Sequence, residues 1–328
     1  VAKAAAVAAV VWFVVWPLFR DARDEMGVVA DVHPVLLVAG VALQVNAYVA
    51  HAQLVRTLLP RSSRPSLGRM LRIELAARAA SHTIPAGTAA GAALSFRLLQ
   101  RSGVSGPDAG FASGAQAIGS TGVLHIITWC ALALSIPLHG FQPLYAVAAA
   151  AGLGLALTAG ASIWAATGGE DRVAWLVGAV AGRLPLVDAD TAIWVIRRVS
   201  ERLRWFIDRP ALVARTAGWS ALHWLSDAAS LWLILAGFGQ QVPLDVLLVA
   251  FGLSSMLASI PVTPRGLGFV EVGLTALLQG YGLARGPVAL GVVAYRLVSF
   301  WIPIPLGGVS YLTLEIGSDR RSGRRRVV

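Results

Sequence analysis

Apolar residues dominate six stretches of the chain, roughly 4–19, 33–55, 108–136, 143–166, 216–238 and 287–314. A helix needs about 20 mostly apolar residues to cross the hydrocarbon layer of a bilayer, so each reads as a spanning helix. The first is short, and Lys3 ahead of it imitates a signal peptide. With no small-residue cleavage site before Arg20-Asp21, it reads as an anchor. Two further regions, 66–101 and 243–281, are apolar but broken by Pro and Gly near their middles. Each reads as two helical arms around an irregular tip.

Charge then assigns sides, because short loops rich in Arg and Lys stay in the cytoplasm. Arg56, Arg61, Arg64, Arg69 and Arg72 occur with no acid among them over 56–72, and Arg320, Arg321, Arg324, Arg325 and Arg326 crowd the C-terminal tail. Arg20 and Arg23 are outnumbered by Asp21, Asp24, Glu25 and Asp31, which suits the outer face, as do the uncharged connections 137–142 and 239–242. Six spans with both termini in the cytoplasm satisfy every cluster only if the two broken regions return to the side they left, as re-entrant hairpins. Between the halves, 167–215 is the one long hydrophilic stretch. Its Arg197, Arg198, Arg202 and Arg204 alternate with Trp194, Ile196, Trp205 and Phe206, which predicts an amphipathic helix on the inner face.

The chain also resembles itself. At a spacing of 179 residues, Pro85, Gly87, Leu98, Leu99, Gln100 and Gly103 fall on Pro264, Gly266, Leu277, Leu278, Gln279 and Gly282. The same spacing lays 108–136 on 287–315 and roughly lays 33–55 on 216–238. The expected fold is an all-α polytopic membrane protein forming one transmembrane domain over 1–328, with a basic cytoplasmic tail at 317–328. It would contain two inverted-topology repeats, about 33–136 and 212–316, comprising six full spans plus two re-entrant hairpins. Inverted repeats with broken helices place a binding site near the midplane, so the tips at Pro85–Gly87 and Pro264–Gly268 are where a ligand is expected.

Composition removes the soluble alternatives. Of 328 residues, 56% are hydrophobic and 13% charged, about half the charged fraction of a soluble domain. The 27 basic residues against 17 acids would suggest a nucleic-acid partner in a soluble chain. Here they sit in loops, as topology signals. The single Cys130 permits no disulfide within the chain and no Cys-based metal site.

Ionisable residues inside spans are expensive and are functional candidates by default. Asp227 sits halfway along its span with His223 one turn earlier on the same face. The pair reads either as a proton relay or as an interhelical hydrogen bond. Glu271 and Arg296 are each costly alone, so a mutual pair is expected. It is either a fixed salt bridge, or a site where Arg296 receives a lipid phosphate and Glu271 releases it or holds a cationic headgroup. Arg265 lies at the second tip beside the start of a helical arm, where N–H groups favour an anion; otherwise it snorkels to water. Arg97, close to Arg101, reads more simply as snorkelling. Glu74 and Arg78 are spaced to pair along one helix face. His51, His82 and His125 lack metal-ligand spacing and read as structural.

The run IPVTPRGLGFVEVGLTALLQGYG, followed by ALGVVAYRLVSFWIPIPLGG, resembles the second-half signature of the lysylphosphatidylglycerol synthase transmembrane, or flippase-like, family, which includes the flippase domain of the multiple peptide resistance factor. Pro261, Thr263, Pro264, Gly266, Gly268, Glu271 and Arg296 fill the family's places. Arg265 stands where Gly is usual, and no acid occurs between Glu74 and Asp108, where the family often has a Glu. The resemblance covers residues 4–316 and implies a lipid-translocating module without synthase activity, in the plasma membrane. No catalytic residue, metal or cofactor is expected. The expected partners are membrane lipids as substrate, and either a second copy of the chain or a separate lipid-synthesising enzyme.

The headgroup moved would belong to an anionic or aminoacylated phospholipid or a polyprenyl-phosphate-linked lipid. A secondary transporter of a small soluble solute is the alternative. A membrane-embedded lipid-phosphate transferase fits less well, because no paired acidic motif for a metal is present.

Overall fold

The computed structural model describes residues 32–84, 87–139, 154, 160, 201–258 and 267–325. The expected spans 4–19 and 143–166, the tip residues Pro85, Pro264, Arg265 and Gly266, and most of the amphipathic connection lie outside the described residues.

In chain order the helices are α1 (Pro34–Leu58), α2 (Leu67–Thr83), α3 (Gly87–Arg101), α4 (Gly106–His139), α5 (Pro210–Gly237), α6 (Leu244–Leu257), α7 (Phe269–Gly280) and α8 (Arg285–Arg296). A π-helical turn, Leu297–Trp301, joins α8 to α9 (Pro303–Arg325). No strand occurs among the described residues. Pro34 and Pro210 open α1 and α5, where the missing N–H costs nothing. Ser66 caps α2 by accepting the Arg69 N–H at 3.4 Å. Gly103 and Gly282 follow α3 and α7 at φ +90° and +84°, a conformation that glycine adopts without a Cβ penalty.

Among the described residues, three helices are long and apolar enough to cross a membrane, Pro34–Leu58, Gly106–Leu138 and Arg285–Glu315. The span expected at 216–238 is the 28-residue α5. It is long enough to cross but falls short of those three in apolar character, because it buries Ser220, His223, Ser226, Asp227 and Ser230. That composition suits its position, since α1, α4, α6 and α8 all touch it. Helix α1 by contrast turns Val35 and Val38 outward, and α9 does the same with Val309 and Leu312. Polar side chains held inside a largely apolar core, with bare Val and Leu on the outer surface, suit a chain solvated by lipid.

Helices α1 and α5 are antiparallel. The His33 N–H donates to Gly237 O at 3.0 Å, Ser230 Oγ to Gly40 O at 2.8 Å, Asn46 Nδ2 to Ser226 Oγ at 2.9 Å, and His223 Nδ1 to Ala47 O at 3.0 Å. The start of one helix therefore lies at the end of the other.

The broken regions are helix pairs, α2 with α3 and α6 with α7, each pair in mutual contact. Their arms have 17, 15, 14 and 12 residues, all shorter than a full span. Helices α1–α4 and α5–α9 each begin with one long helix followed by two short arms. Helix α2 touches α9 and α6 touches α4, while α1 touches α4 and α5 touches α8.

Two boundaries differ from expectation. Residues 210–215 belong to α5 rather than to the connection, because Pro210 starts the helix there. Helix α9 runs to Arg325, so most of the expected tail continues the last helix. At the end of the connection, Arg202 pairs with Asp108 at 3.2 Å and lies over the Trp205 ring at 4.2 Å.

Candidate functional site

Glu271 occupies the first turn of α7, three positions after Gly268. Its Oε2 accepts the Gly268 N–H at 2.7 Å, satisfying one of the donors that a helix start leaves open. Its Oε1 accepts from Arg296 Nε at 2.5 Å. Both residues are buried, at 4% and 9% exposure, so the pairing expected from the cost of lone charges is present. The Arg296 guanidinium also lies over the Phe300 ring at 4.5 Å. Its Nη2 is buried and has no hydrogen-bond partner among the described residues.

Asp227 is buried and accepts a hydrogen bond from Tyr295 Oη at 2.7 Å. Tyr295 adjoins Arg296, so α8 delivers both acid partners from successive residues. His223 donates through Nδ1 to Ala47 O, since a carbonyl can only accept. Its ring lies edge-on to His51 at 4.9 Å.

The turn after α8 follows from Pro303. Without an N–H, Pro303 cannot bond Ser299 O in the helical pattern, and the Ile302 N–H reaches back to Leu297 O at 2.9 Å. The freed carbonyls find donors on the first half of the chain. Tyr48 Oη lies 3.2 Å from both Val298 O and Ser299 O, and His82 Nδ1 donates to Phe300 O at 2.9 Å while its ring stacks on Phe300. Such π-turns are frequent at functional sites.

These groups surround a cavity of about 80 Å³ whose lining includes Arg78, His82, Asp227, Ser254, Tyr295 and Arg296. Helices of both halves contribute. Sequence reasoning paired Glu271 with Arg296 and set Asp227 apart beside His223; it did not place Arg78, Ser254 or Tyr295 at the site. Arg78 does not follow its i,i+4 spacing to Glu74: it lies over the Tyr48 ring at 4.8 Å, while Glu74 Oε2 meets His51 Nε2 at 3.2 Å. A Tyr beside an Arg in an apolar helix was the available signal for Tyr295.

Arg97 is exposed and lies outside the cluster, and Gly87 is buried against Ser81 of α2. Gly268 takes φ +88° and donates the capping N–H. Pro85, Pro264, Arg265 and Gly266 lie outside the described residues. Among the described residues no group of three or more His, Cys, Asp or Glu side chains could hold a metal.

A buried ion pair beside a polar cavity, inside helices that expose Val and Leu, defines a polytopic helical membrane protein with a charged interior site. The chain belongs to the lysylphosphatidylglycerol synthase TM region family, which it matches over residues 1–307. It is 33% identical over 96 residues to the inner membrane protein YbhN of Escherichia coli (strain K12), a match covering 29% of each chain. It is also 32% identical over 118 residues to the UPF0104 membrane protein PH1989 of Pyrococcus horikoshii, covering 36% of this chain and 35% of that one. These matches span about a third of the curated relatives' length.

Proposed function

We propose that the protein carries the polar headgroup of a phosphate-bearing membrane lipid across the plasma membrane while the acyl tails stay in the bilayer. The observation that carries this reading is Arg296. It is buried and paired through Nε, and its Nη2 is unsatisfied beside a cavity built by both halves. Family membership agrees with a lipid-related role.

Two inverted repeats are the architecture proposed. Equivalent helices α1 and α5 run antiparallel, as they must if the relating axis lies in the membrane plane. The arginine-rich loop after α1 meets the start of α5: burial first, and then Arg56, Arg61 and Arg215, lower the pKa of Arg64. A cation crowd at the end of α1 and the beginning of α5 suits one cytoplasmic face. Six spans, two opposed hairpins and cytoplasmic termini complete the proposal.

The architecture has its own test. Ser105 and Ala284 are equivalent in the two halves and both exposed. In a Cys130→Ser background, Ser105→Cys should react with an impermeant maleimide from the cytoplasm and Ala284→Cys from outside. Reaction of both from one side would overturn the inversion.

For transport itself, the chain reconstituted in vesicles should move labelled phospholipid between leaflets, and Arg296→Gln should slow that movement at least tenfold. Uptake of a water-soluble anion without lipid movement would establish the solute-transport alternative instead.

A further inference from the structure

Resting on the headgroup reading, we infer that the cavity selects a phosphate oxyanion, held between Arg78 of α2 and Arg296 of α8, and has no place for a cationic headgroup. Formal charge alone does not decide this. Arg78 and Arg296 are balanced by Asp227, which lines the same cavity, and by Glu271, the ion-pair partner of Arg296. The direction of the unused hydrogen-bonding capacity decides it.

Both acids already hold donors. Glu271 takes one from the Gly268 N–H and one from Arg296, and Asp227 takes one from Tyr295. The cations are under-used. Arg296 Nη2 is buried without an acceptor among the described residues. Arg78 rests on an aromatic face, and among the described residues no carboxylate lies within ion-pair distance of it. Ser254 Oγ, on α6, is also buried without a partner among the described residues. Leaving buried donors unmade costs about 1–3 kcal/mol each, more when charged, so the occupant that removes these costs is an acceptor. An ammonium would have to share the two carboxylates with Tyr295 and Arg296 and would face two guanidinium groups.

Geometry favours phosphate over a planar carboxylate. The donors come from three helices, α2, α6 and α8, so they approach from different sides. An arginine fork meets both oxygens of a carboxylate in one plane, whereas a tetrahedral phosphate offers acceptors in several directions. Two guanidinium groups and the Ser254 hydroxyl in its lining suit the cavity to a phosphate group.

Arg78 is the decisive position, because its only described contact besides the cavity is the Tyr48 ring. Binding of dioctanoyl phosphatidylglycerol to the full-length chain in detergent should be compared with dioctanoylglycerol, octanoate, lysyl-phosphatidylglycerol and inorganic phosphate. Phosphatidylglycerol should bind at least tenfold more tightly than dioctanoylglycerol or octanoate. The lysyl lipid should bind no more tightly than phosphatidylglycerol. Arg78→Gln should weaken phosphatidylglycerol binding about tenfold to a hundredfold, Arg78→Lys by less, and Ser254→Ala by a few-fold, with lipid-free melting unchanged in all three.

Equal binding of dioctanoylglycerol, tighter binding of the lysyl lipid, or undiminished binding by Arg78→Gln would overturn the inference. Inorganic phosphate competing as strongly as the lipid would support the anion site and make a free anion its source, against the headgroup reading. Lipid movement that persists unaltered in Arg78→Gln would leave headgroup transport standing and remove the phosphate site.

Discussion

Replacing Glu271 by Ala is expected to destabilise the folded protein by about 3–5 kcal/mol, the range for breaking a buried ion pair on one side only. Two losses coincide. Arg296 keeps its charge at a site 9% exposed, where insertion scales put an unpaired arginine at about 2.5–3.5 kcal/mol. The Gly268 N–H also loses its acceptor at the start of α7, and removing a cap costs about 1 kcal/mol. Glu271→Gln should cost less, since an amide oxygen still accepts from one of the two donors. Arg296→Met alone strands the carboxylate but leaves the cap intact.

The double variant Glu271→Gln/Arg296→Met removes both charges and should recover much of the loss, because a neutral, well-filled pair is often as stable as the ionic one. A thermodynamic cycle in detergent unfolding would measure the coupling. Coupling near zero would mean that the pair contributes nothing as a pair. Transport should not recover in the double variant, because Arg296 supplies the donors that face the cavity. Recovery of stability without recovery of lipid movement would separate the fold's use of these residues from the function's.

The parts of this site visible in the sequence are those set by cost. Glu271 and Arg296 are charges in apolar surroundings, and the economical solution is for them to meet. The helical arms were visible for a similar reason, since Pro and Gly interrupt runs too short to span. The sequence aligns on itself because Leu98, Leu99 and Gln100 recur as Leu277, Leu278 and Gln279, and Gly103 and Gly282 both follow their arms with positive φ.

Partner choice was not visible where several partners cost about the same. Glu74 could meet Arg78 along its own helix, yet packing of α1 on α2 presents His51 to it. Arg78 is thereby released towards the cavity. Asp227 sits beside His223 on one helix face, and its Oδ1 also accepts from Tyr295 on α8, a partner that same-helix spacing does not show. Same-helix spacing is known from sequence, whereas the rotation of one helix against another depends on every contact between them. The π-turn had a local cause in Pro303. Its consequence, that Tyr48 and His82 supply the missing donors, again crosses between halves.

The closeness of helix α2 to its neighbours gives the second large expected effect. Helix α2 carries Arg78 and His82, and it lies between α3 on one side and α9 on the other. Gly91 of α3 faces Ala77 O and the Ser81 side chain, and Gly307 of α9 faces Leu75 and Ala79. Small residues let membrane helices approach to backbone contact, where dispersion and close packing replace the hydrophobic effect that lipid removes. A Cβ at Gly307 would stand 2.5 Å from the Ala79 Cβ and would also collide with the Leu75 carbonyl. Rotamer changes cannot relieve that, because the obstacle is backbone and a methyl stem.

Gly307→Ala should therefore destabilise by about 3 kcal/mol, the upper end of the usual cost of overpacking, and Gly307→Val by more. Gly308 is an internal control: it is exposed, and a Cβ there meets nothing within 4 Å. Gly308→Ala should leave the melting temperature unchanged or slightly raise it, since alanine favours the helix. The functional consequence follows from what α2 holds. Pushing α2 away from α9 displaces Arg78 from the cavity and His82 from Phe300 O, so surviving Gly307→Ala protein should bind a phosphate-bearing lipid more weakly than Gly308→Ala protein at equal fold content. If both variants melt and bind alike, α2 is not held by backbone contact with α9, and the position of Arg78 must depend on the α3 side, where Gly91→Val would then show the loss.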